Sequence, residues 1–324
     1  MPKRLPPQTA RPLSPPANPS FPYIFFENVA NHPLEPRDGA LNLRNAWWLM
    51  DAAFLAYSNP ATISSEFQKI AGAAVHVVPG KRSTQCYVAS TNDWIVLAFR
   101  GTQVDDFWQS VLDWTIDARC VPVLDAHGDS VHAGFKSAIE EVWADVSDHI
   151  RTLQSRQRRP LWICGHSLGA ALATVAANLC ADDPALGFAG LYTFGSPRVG
   201  DRHFGAEIRP ATVFRFQNDS DLVTHVPLGL VFEHVGALQF IDGSGHLHAN
   251  VDRGTQLLLE AGAAMSPTAA HSVGGLLKEA APDVPLPGFL ADHAPINYAI
   301  LVWNCYEAAG AKKTGSEAAR SRIR

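Results

Sequence analysis

One stretch constrains the fold of this chain more than any other. Leu161 to Ala181, LWICGHSLGAALATVAANLCA, runs for 21 residues without an Asp, Glu, Lys or Arg. Length and apolarity alone would let such a run cross a bilayer as a helix. The pentapeptide Gly165-His166-Ser167-Leu168-Gly169 in its middle argues against that. Four apolar residues, a Gly-x-Ser-x-Gly turn and an alanine-rich run read as a buried strand, a tight turn and an apolar helix, the pattern of the centre of a parallel sheet. No transmembrane segment is expected.

The flanking sequence extends the pattern. Asn42 to Ser58 has helical apolar spacing, and Ala74–Val78, Gln85–Ser90 and Trp94–Phe99 are expected strands of a meander, with Gly101 ending the last. One long amphipathic helix is expected over His132 to Ser155. A strand at Leu161–Cys164, a helix at Leu168–Ala181 and strands at Phe188–Phe194 and Thr212–Gln217 follow. Strands alternating with helices imply a mostly parallel sheet covered on both faces, with ligand sites beyond the carboxyl ends of its strands. With 324 residues, 47% of them hydrophobic, the chain has the material for such a core. The expected folded unit is one domain, residues 23–309. The preceding tail, 1–22, holds eight prolines, and 310–324 (GAKKTGSEAARSRIR) is basic and expected to fray. The Ala/Gly/Pro-rich region from about 254 to 290 reads either as helix or as an insertion.

A serine on a strand–turn–helix elbow sits in a strained turn, and flanking glycines let strand and helix approach closely. Gly165 and Gly169 meet that need around Ser167, and the amides opening the next helix favour developing negative charge. A serine hydroxyl is a weak nucleophile until a histidine accepts its proton, and that histidine needs a carboxylate to hold its tautomer. Candidates for the acid include Asp201, Asp219 and Asp221, of which the last two directly follow the expected strand ending at Gln217. Asp221 is preferred, because Leu222-Val223 beside it would bury the carboxylate, whereas Asn218-Asp219-Ser220 resembles a solvated turn. For the base, His225, His234, His246, His248, His271 and His293 follow in the chain. His293 lies in a loop leading directly into the apolar helix Ile296 to Trp303, both mobile and anchored. His246 and His248 would share one face of a strand, but without a nearby third ligand they are expected to be exposed and metal-free.

A tetrahedral oxyanion needs two donors. The Leu168 amide is one candidate, and Thr102 in Phe99-Arg100-Gly101-Thr102 is the other, through its amide and hydroxyl. Val104 to Trp114, VDDFWQSVLDW, then gathers Phe107, Trp108, Val111, Leu112 and Trp114 near one helical face. Such a face suits a movable lid or an ordinary core-facing helix.

The balance of 26 Lys+Arg against 31 Asp+Glu gives no reason to expect nucleic acid as a partner. Five cysteines, an odd count with no C-x-x-C pair, argue against a disulfide framework and a thiolate metal cluster. The N-terminal residues lack the apolar run of a secretory signal. Together these point to a reducing, cytoplasmic location.

In order along the chain, Phe99-Arg100-Gly101-Thr102, Val131-His132-Ala133-Gly134-Phe135, the elbow, Tyr192-Thr193-Phe194-Gly195-Ser196-Pro197-Arg198-Val199-Gly200 and Asp221-Leu222-Val223 with Pro227 resemble the class 3 lipases. The resemblance spans about residues 40–305, and the Tyr192–Gly200 block is its most specific part. It implies the α/β-hydrolase fold with a short helical lid at 103–114, Ser167, Asp221 and His293 as triad, and Thr102 and Leu168 as oxyanion donors. It implies cleavage of a lipid or small ester, as by a triacylglycerol lipase or carboxylesterase, with a lipid–water interface as the place of action and no cofactor. A phospholipase A1, a thioesterase or an amidase on the same scaffold, and a non-catalytic lipase-like binding module, are the alternatives.

Overall fold

The uncharged run resolves into strand, elbow and helix, and the chain around it is built to bury both. The computed structural model describes residues 23–36, 39–80, 84–101, 121–208, 212–227, 231–252, 254–255 and 292–321, with side chains as far as 310. The expected tail 1–22, Thr102, the segment 103–114, Cys120, His271 and nearly all of the 254–290 region lie outside those residues.

Helix α1 (Leu43–Leu55) starts at Asn42, whose side chain accepts from the Arg44 and Asn45 amides at 3.0 and 3.2 Å. Asn59 caps α2 (Pro60–Gln68) in the same way, with proline at the first helical position. Strands β1 (Ala74–Pro79), β2 (Gln85–Ser90) and β3 (Ile95–Phe99) form the expected antiparallel meander. A two-stranded hairpin, β4 (Pro122–Leu124) with β5 (Ser130–His132), leads into the next helices.

The single helix expected over His132 to Ser155 is two: α3 (Ala133–Glu140) and α4 (Trp143–Arg156). His132 is the cap of the first, accepting from the Gly134 amide. At Val142 the backbone leaves helical geometry, with φ −119°, and its N–H bonds to the Ile139 carbonyl. A β-branched residue beside Trp143 loses little by leaving the helix there. Phe135, Ile139, Val142, Val146 and Ile150 are all buried on either side of the break.

The remaining elements are β6 (Leu161–His166), α5 (Leu168–Ala181), β7 (Phe188–Phe194), α6 (Arg202–Glu207), β8 (Thr212–Asn218), β9 (Ala237–Ile241), β10 (Leu247–Val251) and α7 (Pro295–Ser321). Eight strands make one sheet in the order β1-β2-β3-β6-β7-β8-β9-β10. From β3 to β9 the pairs are parallel, and the outer pairs on each side are antiparallel. No helix among the described residues is long and apolar enough to cross a membrane.

Side chains alternate across the sheet and feed two unlike cores. Trp162 and Cys164 of β6 face Trp47, Trp48 and Phe54 of α1 and Tyr298 and Trp303 of α7; Leu161 and Ile163 face Phe135, Val146, Ile150 and Leu172 of α3, α4 and α5. One face is rich in aromatic side chains and the other is mostly aliphatic. Burying each such side chain stabilises the fold by about 1.5–3 kcal/mol. The parallel run brings the ends of β3, β6 and β8 to one edge, where ligand sites of such sheets form.

Candidate active site

At the end of β6 the backbone turns on Ser167, with φ 60° and ψ −130°, a conformation costly for a residue with a side chain. The turn is held by the Ser167 amide donating to Phe194 O at 3.0 Å and by Ser167 O accepting from Ala170 at 2.9 Å. A Cβ at Gly165 would run into the Gly169 backbone, and one at Gly169 into the Phe99 carbonyl. Strand and helix therefore cross in backbone contact, as the pentapeptide required. Ser167 is fully buried, and its Oγ makes no hydrogen bond to the described residues. Leu168 is the first residue of α5, so its N–H has no intrahelical acceptor.

Asp221 follows β8 through the turn at 219–220 and is fully buried. Its carboxylate accepts from the Val223 amide at 2.9 Å and from the Tyr298 hydroxyl at 2.6 Å. His293 Nδ1 lies 2.8 and 2.9 Å from its two oxygens. A carboxylate only accepts, so Nδ1 carries a proton, and in the neutral ring Nε2 presents the lone pair. Tyr298 in turn accepts from the Asn218 amide at 2.9 Å. Burial, followed by the Asp221 charge and hydrogen bond, holds the Tyr298 phenol well above its ordinary pKa, so it stays a donor. Asn218 Nδ2 donates to Asp292 O at 2.9 Å and ties the loop carrying His293 to the end of β8.

The Tyr192–Gly200 block finds its use here. A Cβ at Gly195 would come within 2.8 Å of Asp221 Oδ2 and 3.0 Å of His293 Cε1, at a backbone φ of +57°. Only glycine leaves room for the carboxylate and imidazole to lie together against that loop.

The other candidates are occupied elsewhere. Asp201 caps α6, accepting from His203 and Phe204, and also accepts from the Ser130 amide. Asp219, two residues from Asp221, turns the other way against Gly243, and burial and the nearby Asp242 charge raise its carboxyl above the usual range. His246 and His248 are exposed and pair with Asp242. His234 is held well below the ordinary imidazole range by burial and by the Arg215, Arg198 and His225 charges. Asp125, Asp129 and Glu207, half-buried, bring carboxylate oxygens within 4.8 Å of one another on the β4–β5 turn and the end of α6.

Sequence reasoning missed Tyr57, His166, Asn218 and Tyr298. For Tyr298 the signal was a lone hydroxyl in the apolar run Ile296 to Trp303, one helical turn beyond the loop of His293. For His166 it was an imidazole inside the elbow itself.

An eight-stranded, mostly parallel sheet with a serine elbow at its carboxyl edge defines an α/β-hydrolase. Residues 96–230 match the family model for lipase (class 3). It is 32% identical over 203 residues to the secreted mono- and diacylglycerol lipase A of Penicillium cyclopium, covering 55% of this chain and 63% of that protein. It is 33% identical over 156 residues to the chloroplastic phospholipase A(1) of Arabidopsis thaliana, covering 43% of this chain and 35% of that one. The chain thus spans under two thirds of the length of either relative. The crystal structure of a lipase from Rhizopus microsporus var. chinensis shares the fold, with a TM-score of 0.55 at 21% identity over 74% of this chain and 85% of that one.

The expected cytoplasmic location is overturned, because matched relatives are named secreted lipases. The cysteine argument behind it fails on physical grounds. Cys86, Cys164, Cys180 and Cys305 are all buried free thiols. Burial pushes the first three well above the ordinary thiol value and Cys305 up to about 11. Thiols so protected are inert in oxidising and reducing surroundings alike, so their number says nothing about compartment.

Proposed function

We propose that this chain is a serine ester hydrolase of triacylglycerol lipase or carboxylesterase type, with Ser167 as nucleophile, His293 as base and Asp221 as its orienting acid. The observation that carries the reading is the buried Asp221–His293 pair, with Nδ1 committed to the carboxylate, on the same sheet edge as the strained Ser167. Ser167 Oγ attacks the ester carbonyl carbon as His293 Nε2 takes its proton. The tetrahedral oxyanion is held by the Leu168 amide and by Thr102, each such donor being worth about 2.7–4 kcal/mol of barrier. His293 then passes the proton to the leaving alkoxide as the carbon–oxygen bond breaks, leaving an acyl-enzyme that water opens by the same steps in reverse roles. Asp221 stays ionised and stabilises the imidazolium that forms. No step calls on a cofactor. The unit proposed to carry this chemistry is the single domain 23–309, acting outside the cytoplasm like the secreted relatives, with the 103–114 segment as a lid at a lipid–water interface.

The test is hydrolysis of p-nitrophenyl esters of rising acyl length by the purified chain and by Ser167→Ala. Removal of the nucleophile is expected to lower kcat by about 10⁶. Equal rates would reject the reading. The match to a named phospholipase A1 supports a second reading, cleavage of the sn-1 ester of a phospholipid. Dispersed triglyceride and phosphatidylcholine vesicles assayed side by side separate the two.

A further inference from the structure

We propose that Tyr57 and His166 are positioning residues, links in one hydrogen-bonded chain that ties the end of β3, the serine elbow and the backbone of His293 into a single unit. The inference rests on the serine-hydrolase reading and adds residues that act through its nucleophile and base.

Tyr57 lies just past α1 and is buried, its hydroxyl 2.8 Å from His166 Nδ1. The Gly101 amide, after β3, donates to the same hydroxyl oxygen. On the other side of the ring, His166 Nε2 lies 2.8 Å from the carbonyl oxygen of His293. These contacts settle every direction in the chain. A carbonyl only accepts, so Nε2 carries the proton. Burial, followed by the neighbouring His293, holds His166 well below the ordinary imidazole range, so the ring is neutral and Nδ1 is a lone pair. Tyr57 therefore donates to Nδ1 while accepting from Gly101.

The stations of the chain tell against an ordinary satisfied core histidine. Gly101 precedes Thr102, the proposed oxyanion donor; His166 precedes Ser167; and the terminal acceptor belongs to the base itself. The two imidazoles lie at a tilt of 36°, with ring centroids 4.7 Å apart. A cationic ring at 166 would oppose the imidazolium that His293 becomes when it takes the serine proton. A neutral ring with its one donor committed to the His293 carbonyl cannot play that part. It anchors the backbone of His293, whose ring Asp221 holds. The gain is in geometry at the reacting atoms, and misplacement of the order of 1 Å there costs about 100-fold in rate.

The test uses the whole chain, with two readouts: the rate of phosphonylation of Ser167 by a fluorophosphonate, and kcat and KM on a soluble p-nitrophenyl ester. Tyr57→Phe and His166→Leu are expected to lower the labelling rate and kcat by about 10- to 100-fold with KM unchanged, the mark of an interaction that acts on the transition state. His166→Gln, whose amide restores a donor toward the His293 carbonyl, is expected to recover most of that loss. A structural role alone would instead lower the melting temperature of both His166 variants and leave kcat of the folded fraction unchanged. Unchanged kcat in Tyr57→Phe and His166→Leu, or equal losses in His166→Gln and His166→Leu, overturns the proposal while the hydrolase reading stands. Should Tyr57→Phe fail to fold, the two His166 variants carry the comparison. A wild-type chain that neither labels nor hydrolyses rejects the hydrolase reading itself.

Discussion

The proposed nucleophile and the proposed acid–base pair are held by opposite means. Ser167 is placed by backbone: a positive φ, two glycines in van der Waals contact with neighbouring main chain, and an amide bonded to Phe194. Its helix, α5, packs its small and aliphatic side chains on the aliphatic core. Asp221 is held by the Tyr298 side chain and His293 by His166, which Tyr57 holds in turn, and both tyrosines come from the aromatic core on the other face of the sheet. His166 sits on the seam, in the elbow by sequence and against His293 by contact. The difference is one of robustness. A backbone device is a few residues long and tolerates change elsewhere, whereas the acid–base half depends on hydroxyls reaching across a low-dielectric interior, where each bond is strong and each loss exposes an unpaired group.

That contrast can be broken by substitution at the acid–base half. Asp221→Asn is expected to have the largest effect. An amide there can donate to the imidazole and favour the wrong tautomer, and kcat should fall about 10⁴-fold with the fold intact. Steady-state kinetics with a circular dichroism melt checks it, and a near wild-type kcat would remove Asp221 from the mechanism. Tyr298→Phe should be milder: it removes one of the hydrogen bonds to a carboxylate that keeps two others, and kcat is expected to drop about tenfold, equivalent to about 1.4 kcal/mol. A loss of stability with kcat untouched would show that the aromatic face supports the fold alone.

The smallest effect is expected at Asp219, two residues from Asp221. Burial and Asp242 hold its carboxyl above the usual range, so the folded chain keeps a proton there that the unfolded chain has already lost. Stability from this group is fully present below the ordinary carboxylate pKa and is lost as pH rises through the raised value. Asp219→Asn, which cannot ionise, should therefore leave kcat unchanged, raise the melting temperature slightly near neutral pH and leave it unchanged in acid. Melting curves across that range, beside the same kinetics, make the measurement. A large fall in kcat would transfer the acid's role from Asp221 to Asp219.

Legibility followed sequence separation. The strand boundaries at β2, β7 and the helix α5 could be read closely, because alternating or continuous apolar runs bounded by turn residues are local signals. The break between α3 and α4 could not, since the apolar spacing of Phe135, Ile139, Val142, Val146 and Ile150 continues through it and only the backbone departs. Strand β9 also went unread: Ala237–Ile241 is short and has Gln239 at its centre, a polar side chain that the fold buries completely. The preference for Asp221 over Asp219 rested on apolar neighbours, and the structure places the carboxylate those neighbours bury 2.8 Å from His293.

By itself, the sequence determined the elbow and the sheet around it. A serine between two glycines, after a buried strand and before a small-residue helix, leaves the backbone one compact way to turn, and that constraint acts within five residues. Only the tertiary structure decided what surrounds that serine. His293 meets Asp221 across 72 positions of chain, Tyr298 meets Asp221 across 77, and His166 meets Tyr57 and His293 across 109 and 127. Hydrogen bonds of that span carry no periodicity for a sequence to display. They exist because packing the aromatic face against the sheet removes water from these polar groups and leaves them one another as partners.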